Sequence, residues 1–265
     1  MKILFLGVIV GKTGRSAAAR FISDFTAENG RPDLIIANAD HATEGSGLTG
    51  DTAGELLDAG VDVITLGQNV WAQSELETVI EKRHAILRPL NLPGTSPGHG
   101  ILVTEIGNDR VPVGIINLSG YTFIGRILPD NPFPIIHDIV KDVSSRARVT
   151  VIDFFAVPTA EKAAMRYHLD GKISLLVGTG TYVQTADEQI SKTGSASITD
   201  VGMVGAYDAV VGFEKDGEIR RFTTSMKSFP RTAEGRARVD AVLCEFNPDT
   251  GWTLSIQRIS KIIET

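Results

Sequence analysis

Short unbroken apolar runs alternate along this chain with stretches whose apolar residues recur every third or fourth position. The first pattern marks strands buried on both faces, and the second marks helices with one buried stripe. KILFLG at the start reads as a strand. Residues 13–28 read as a helix, with Ala17, Phe21 and Phe25 spaced four apart on one face. DLIIAN (33–38) reads as a second strand, residues 49–59 as a helix ended by Gly60, VDVITLG (61–67) as a third strand, and residues 74–81 as another helix. This rhythm predicts a largely parallel sheet with helices on its faces.

Residues 87–100 are rich in Pro and Gly and read as a long loop. ILVTEI and VPVGIINL read as strands joined by a turn at Gly107-Asn108-Asp109, and residues 134–143 as a helix. VTVIDFFAV (149–157) and KISLLVGTG (172–180) are two further buried strands flanking a helix over 160–168. The last third reads as turns and strands only: SASIT, AVVGFE, RVDAVLCEF and WTLSIQRI. No repeat, low-complexity stretch or linker interrupts the pattern, so the expectation is an α/β fold in one domain, 1–265.

In open α/β sheets ligands gather at the carboxyl ends of strands. Five loops fall there: 7–11, 38–41, 67–71, 153–157 and 178–182, and the last four pair small or glycine residues with polar ones. The first, Gly7-Val8-Ile9-Val10-Gly11-Lys12-Thr13, looks like a phosphate-gripping P-loop, but that motif needs four residues between its glycines and only three stand here. Its β-branched centre also resists the positive φ of an anion nest.

Composition narrows the chemistry further. The net charge of −6 over 265 residues disfavours a general nucleic-acid binder. A single cysteine, Cys244, leaves no internal disulfide and no thiolate zinc cluster, as suits a reducing compartment. No apolar run approaches the ~20 residues of a membrane span, and the short N-terminal strand lacks the pattern of a signal peptide. The expected location is the cytoplasm.

Long strings of the chain then point to a family: GVIVGKTGR, ATEGSGLT, LLDAGVDVITLG, LRPLNLPGTSPGHG, PTAEKAAMRYHLDGKISLLVGTGT, VQTADEQI and ITDVGMVGAYDAVVGFEKDGEIRRFTT. The chain resembles the YmdB-like branch of the calcineurin-like metallophosphoesterases over most of its length. The resemblance implies a four-layer α/β/β/α sandwich, homo-oligomers, and hydrolysis of 2′,3′-cyclic nucleotides by two metals that clamp the phosphate. Hard oxygens and imidazoles would hold Mn or Fe.

The family's metal loops do not carry over residue by residue. Val8 stands where the first loop has its ligand Asp. Asp40 and His41 stand for Glu and Asn in the second, and Gln68 and Asn69 for Asn and His in the third. Phe155 replaces the ligand His of the fourth, where Val157 also replaces a Glu, and Gly180 and Tyr182 replace the two histidines of the fifth. The expectation is a catalytically inactive member that lacks a metal cofactor. It would act by binding or assembly, as a homo-oligomer, with an active paralogue, or with a nucleotide.

Two other readings stand beside it. Asp40, His41 and Asn69 could hold one weak divalent ion, Mn or Fe, and run a rebuilt phosphodiesterase. Alternatively Thr179, Thr181 and Lys12 could grip the phosphate of a nucleotide without cleaving it. Each residue also has a structural reading: a hydrogen bond for His41, a turn cap for Asp40, packing for Trp71 and Phe155, and a solvated helix start for Lys12 and Arg15. His168 reads as structural, and His84, His99 and His137 lie outside the five loops.

Overall fold

The structure, a computed structural model, describes residues 1–107, 109–226 and 230–264. The first half runs β1 (Lys2–Leu6), β2 (Val8–Ile9), α1 (Gly11–Asn29), β3 (Leu34–Asn38), α2 (Gly50–Asp58), β4 (Val63–Thr65), α3 (Leu76–Lys82) and β5 (Ile86–Leu87). The second sheet's elements follow: β6 (Ile101–Ile106), β7 (Val111–Ser119), α4 (Ile136–Ser144), β8 (Val149–Phe155), α5 (Thr159–His168), β9 (Leu175–Thr179), β10 (Gln189–Ile190) and β11 (Ala196–Ile198). The chain then returns to the first sheet through β12 (Met203–Ala206), α6 (Lys215–Thr224), β13 (Ala237–Phe246) and β14 (Thr253–Ile263).

One sheet has the order β2-β12-β13-β1-β3-β4-β5, with β14 paired to β13; the other has the order β10-β11-β9-β8-β7-β6. The strands are apolar on both faces because both faces are covered. Ile3, Phe5, Leu34, Ile36, Val113, Val151 and Val177 meet between the sheets. Leu4, Leu6, Ile35 and Ile64 pack outward against α1, where Ala17, Phe21 and Phe25 form the expected buried stripe. Ile152, Phe154 and Leu176 pack against α4 and α5 on the other side. The result is the four-layer sandwich, and parallel pairing of β1 with β3 and of β8 with β9 brings their carboxyl ends to one pole.

Three expectations change. AVVGFE is not a strand: Val210 and Phe213 pair across a tight turn with Val211 and Gly212 at positive φ. That apolar run serves to lay Phe213 against Val8 and Val10, and the neighbouring strand is β12, just upstream. The last third also contains a helix, α6, which periodicity missed because its Ile219 and Phe222 face solvent while Glu218 is buried. Helix α1 begins at Gly11, two residues early, where Gly11 N donates to the His41 carbonyl. Of the turn expected at 107–109, Asn108 lies outside the described residues.

Candidate functional site

The five loops do converge, and their side chains fill the space between them. Gly7 brings β2 against Gly202, where a Cβ would stand 2.4 Å from the carbonyl oxygen. Val8 then pairs with Met203 in β12, and Val8, Val10, Met203 and Phe213 form one apolar cluster with Tyr182 packed on it. The loop of residues 7–11 is therefore strand and helix start. Its amides at 7, 8, 10 and 11 donate to protein carbonyls, which leaves none of those four to cradle an anion.

Phe155 occupies the centre. The residue is fully buried at the end of β8. A Cβ added to Gly67 would lie 2.3 Å from its ring, and one added to Gly180 would lie 3.2 Å away. The ring thus fits because Gly67 has no side chain there, and Gly180 keeps the contact on the other side loose.

Asp40 and His41 are held by protein groups. One Asp40 oxygen accepts from the backbone N–H of Gly67 at 2.7 Å and of Asn69 at 2.9 Å, and the other accepts from the Asn69 side-chain amide at 2.7 Å. The carboxylate caps the third loop, as its turn-forming chemistry allows. His41 Nε2 lies 3.1 Å from the Asn69 amide nitrogen and 2.9 Å from the Tyr182 hydroxyl. A neutral imidazole fits these contacts, with the single Nε2 lone pair shared between the two donors. Burial agrees: it pushes the His41 pKa below its ordinary value, against the pull of Asp40 and with the help of Arg126. Burial likewise raises the Tyr182 hydroxyl far above its usual range, reinforced by Asp40 and Asp200, so it is no nucleophile near neutrality.

Two of the three expected phosphate contacts have partners within the protein. Thr179 is fully buried and its hydroxyl donates to Asp153 at 2.7 Å. Thr181 gives both its backbone N–H and its hydroxyl to Asp200, at 2.9 and 2.6 Å. Asp200 in turn is paired at 2.6 Å with the buried Lys162. Only Lys12 of that trio is exposed. Arg15 is not solvated as expected: its guanidinium donates to the Ala42 carbonyl and to Glu55, both at 2.6 Å. Gln68 is half-buried, and its side-chain oxygen accepts from Gly125 N at 3.5 Å. Trp71 packs partly buried against the helix-facing core.

Sequence reasoning missed two groups. Arg126 comes over the site from the loop after β7 and donates to the Asn69 side-chain oxygen at 2.7 Å; no periodicity marks it. Asp153 lies fully buried beneath the site, bonded to Asn38, Thr65 and Thr179 and so joining the two sheets. Its pKa is raised to about 6, chiefly by burial and against those three hydrogen bonds. A charged residue in the apolar run VTVIDFF was the available signal.

The side chains of Val8, Phe155 and Gly180 offer no lone pair, one Asp40 oxygen accepts two hydrogen bonds and the other one, and His41 Nδ1 lies 3.6 Å from Asp40. Among the described residues, no group of three or more His, Cys, Asp or Glu is gathered so as to hold a metal ion. No helix among them is long and apolar enough to cross a membrane.

Comparison with known proteins places the architecture. The model of the YmdB-like protein family matches residues 4–259. The chain is 35% identical to a 2′,3′-cyclic-nucleotide 2′-phosphodiesterase of Bacillus subtilis, over 98% of this chain and 96% of that one. Among solved structures, a phosphatase of Mycoplasma pneumoniae superposes with a TM-score of 0.92 at 31% identity, covering 100% of this chain and 94% of that one. A hypothetical protein of Thermus thermophilus superposes with a TM-score of 0.90 at 30% identity, covering 99% of each chain.

Proposed function

The chain belongs to the YmdB-like family, phosphodiesterase- and phosphatase-like by its relatives, and on that premise we propose that it binds or assembles without hydrolysing. The observation that carries the proposal is the Phe155 ring seated between Gly67 and Gly180. It puts hydrocarbon at the middle of the five converging loops. Around it, a chain of hydrogen bonds runs from Asp40 through Asn69 to His41 and Tyr182. Donors and acceptors already spent within the protein have less to offer a cation.

This reading makes the molecule a partner-binding or subunit-forming member of its family. The rebuilt single-metal enzyme draws little from the geometry, since one Asp40 oxygen already accepts two hydrogen bonds and the other accepts one. Nucleotide capture at this pole is weakened in the same way, because Thr179 and Thr181 give their donors to Asp153 and Asp200.

The test is elemental analysis of protein purified without chelator, joined to an assay with 2′,3′-cyclic nucleotides in added Mn²⁺. The expected result is substoichiometric metal and no turnover above a Tyr182→Phe, His41→Ala control. Near-stoichiometric Mn or Fe, or turnover abolished by that double variant, would overturn the proposal.

A further inference from the structure

The opposite pole of the sandwich carries a second concave site, built at the amino ends of the second sheet's strands. Four connections meet there: the end of α4 into β8 (144–150), the turn from α5 into β9 (171–174), the turn before β11 (193–194) and the hairpin between β13 and β14 (250–252). They enclose about 260 Å³. This face lies away from the five loops, so nothing in the preceding functional reading accounts for it.

Its walls combine three chemistries. Trp252 is 57% exposed although its backbone is fixed. Asn247 caps the hairpin by accepting from the N–H groups of Asp249 and Thr250, and Gly251 N donates back to the Asn247 carbonyl. The indole lies against Gly194, where a Cβ would come within 2.7 Å of the ring. Gly194 thus lets the ring lie against backbone on one side while more than half of the residue stays open. Arg148 is exposed beside it, and a Cβ on Gly251 would stand 2.1 Å from the Arg148 carbonyl, so the hairpin tip and this arginine are held together.

Lys172 supplies the second cation. Its ammonium lies 3.2 Å from a ring nitrogen of His137 and 3.4 Å from the His168 carbonyl. Among the described residues neither Arg148 nor Lys172 has a carboxylate partner. Asp170, the acid nearest in sequence to Lys172, accepts from Thr193 at 2.7 Å instead. Ser144 adds an exposed hydroxyl, whose contact with the Thr150 hydroxyl is long at 3.5 Å.

We propose that this cleft binds a nucleoside monophosphate, its base stacked on the Trp252 indole and its phosphate between Arg148 and Lys172. An open aromatic face recognises any base by its π-surface. A guanidinium forks onto phosphate oxygens while an ammonium adds a point charge. The combination distinguishes a nucleotide from either half of it: inorganic phosphate lacks the stacking, and a nucleoside lacks the charge.

The probe is AMP, titrated calorimetrically and by indole emission into the full chain, with adenosine and inorganic phosphate as separate arms. The expected result is saturable AMP binding that exceeds either half. Arg148→Ala and Trp252→Ala should each weaken it roughly tenfold or more, the worth of one charge-assisted contact or one stacked base. In Trp252→Phe the remaining indole, Trp71, should report no quench. All three variants change exposed side chains, and far-UV circular dichroism checks that they fold. Metal content and cyclic-nucleotide turnover, measured on the same samples, decide the proposed function separately from this result. The proposal is overturned by absence of AMP binding, by AMP binding no tighter than phosphate, or by affinities unchanged in both Arg148→Ala and Trp252→Ala.

Discussion

Removing the ring of Phe155 tests directly whether the centre of the five loops is packed as tightly as the geometry states. The ring is fully buried, so Phe155→Ala deletes its contacts and leaves a cavity lined by Gly67 and Gly180, neither of which has a side chain to collapse into it. The expected loss is about 3–5 kcal/mol. Gly67→Ala acts from the other side. Its new Cβ would lie 2.3, 2.6 and 2.7 Å from three carbons of that ring, and the backbone there is not at positive φ. Overpacking of that kind costs roughly 1–3 kcal/mol. In the double variant the ring is gone and the methyl enters free space. The two losses should therefore fail to add, with a coupling of about 1–3 kcal/mol in favour of the double variant. Urea unfolding of the four chains measures this, with unchanged slopes as the check on comparable states. Additive losses within ~0.5 kcal/mol, or a Phe155→Ala cost below ~1 kcal/mol, would refute the packing argument.

Two further outcomes follow from groups that never reach solvent. Asp153 is neutral in the folded protein below about pH 6 but ionises near the ordinary 3.8 once exposed. The folded state therefore holds the extra proton between those values, and stability falls as pH rises through that window, by about 3 kcal/mol in all; the difference curve against Asp153→Asn should show that fall, and parallel curves would sink the assignment. Asp40→Ala leaves the N–H groups of Gly67 and Asn69 without their acceptor, a loss of roughly 1–3 kcal/mol for each buried donor stranded, and hydrogen exchange at those two amides should accelerate by more than at the β1 amides.

Much of the fold was legible in the order of residues, because a strand covered on both faces must be apolar throughout and a helix against a sheet must show a stripe. KILFLG, DLIIAN and VTVIDFFAV announced their strands, and Ala17, Phe21 and Phe25 announced the buried side of α1. The same logic failed for α6 and for AVVGFE, where the apolar side chains serve something other than a local element: Phe222 faces solvent, and Phe213 covers Val8 and Val10 from a turn. The chemistry at the five loops was half legible. The sequence alone determined that valine, phenylalanine and glycine stand there, residues whose side chains have no lone pair to offer whatever surrounds them. Only the tertiary structure decided where the remaining donors point. Asp40 reaches Gly67 and Asn69, His41 reaches Tyr182 across 141 residues, and Thr181 turns to Asp200, because loops distant in sequence arrive at one pole through the pairing of strands. A side chain's identity is local, but its free lone pairs depend on which neighbours have already taken them.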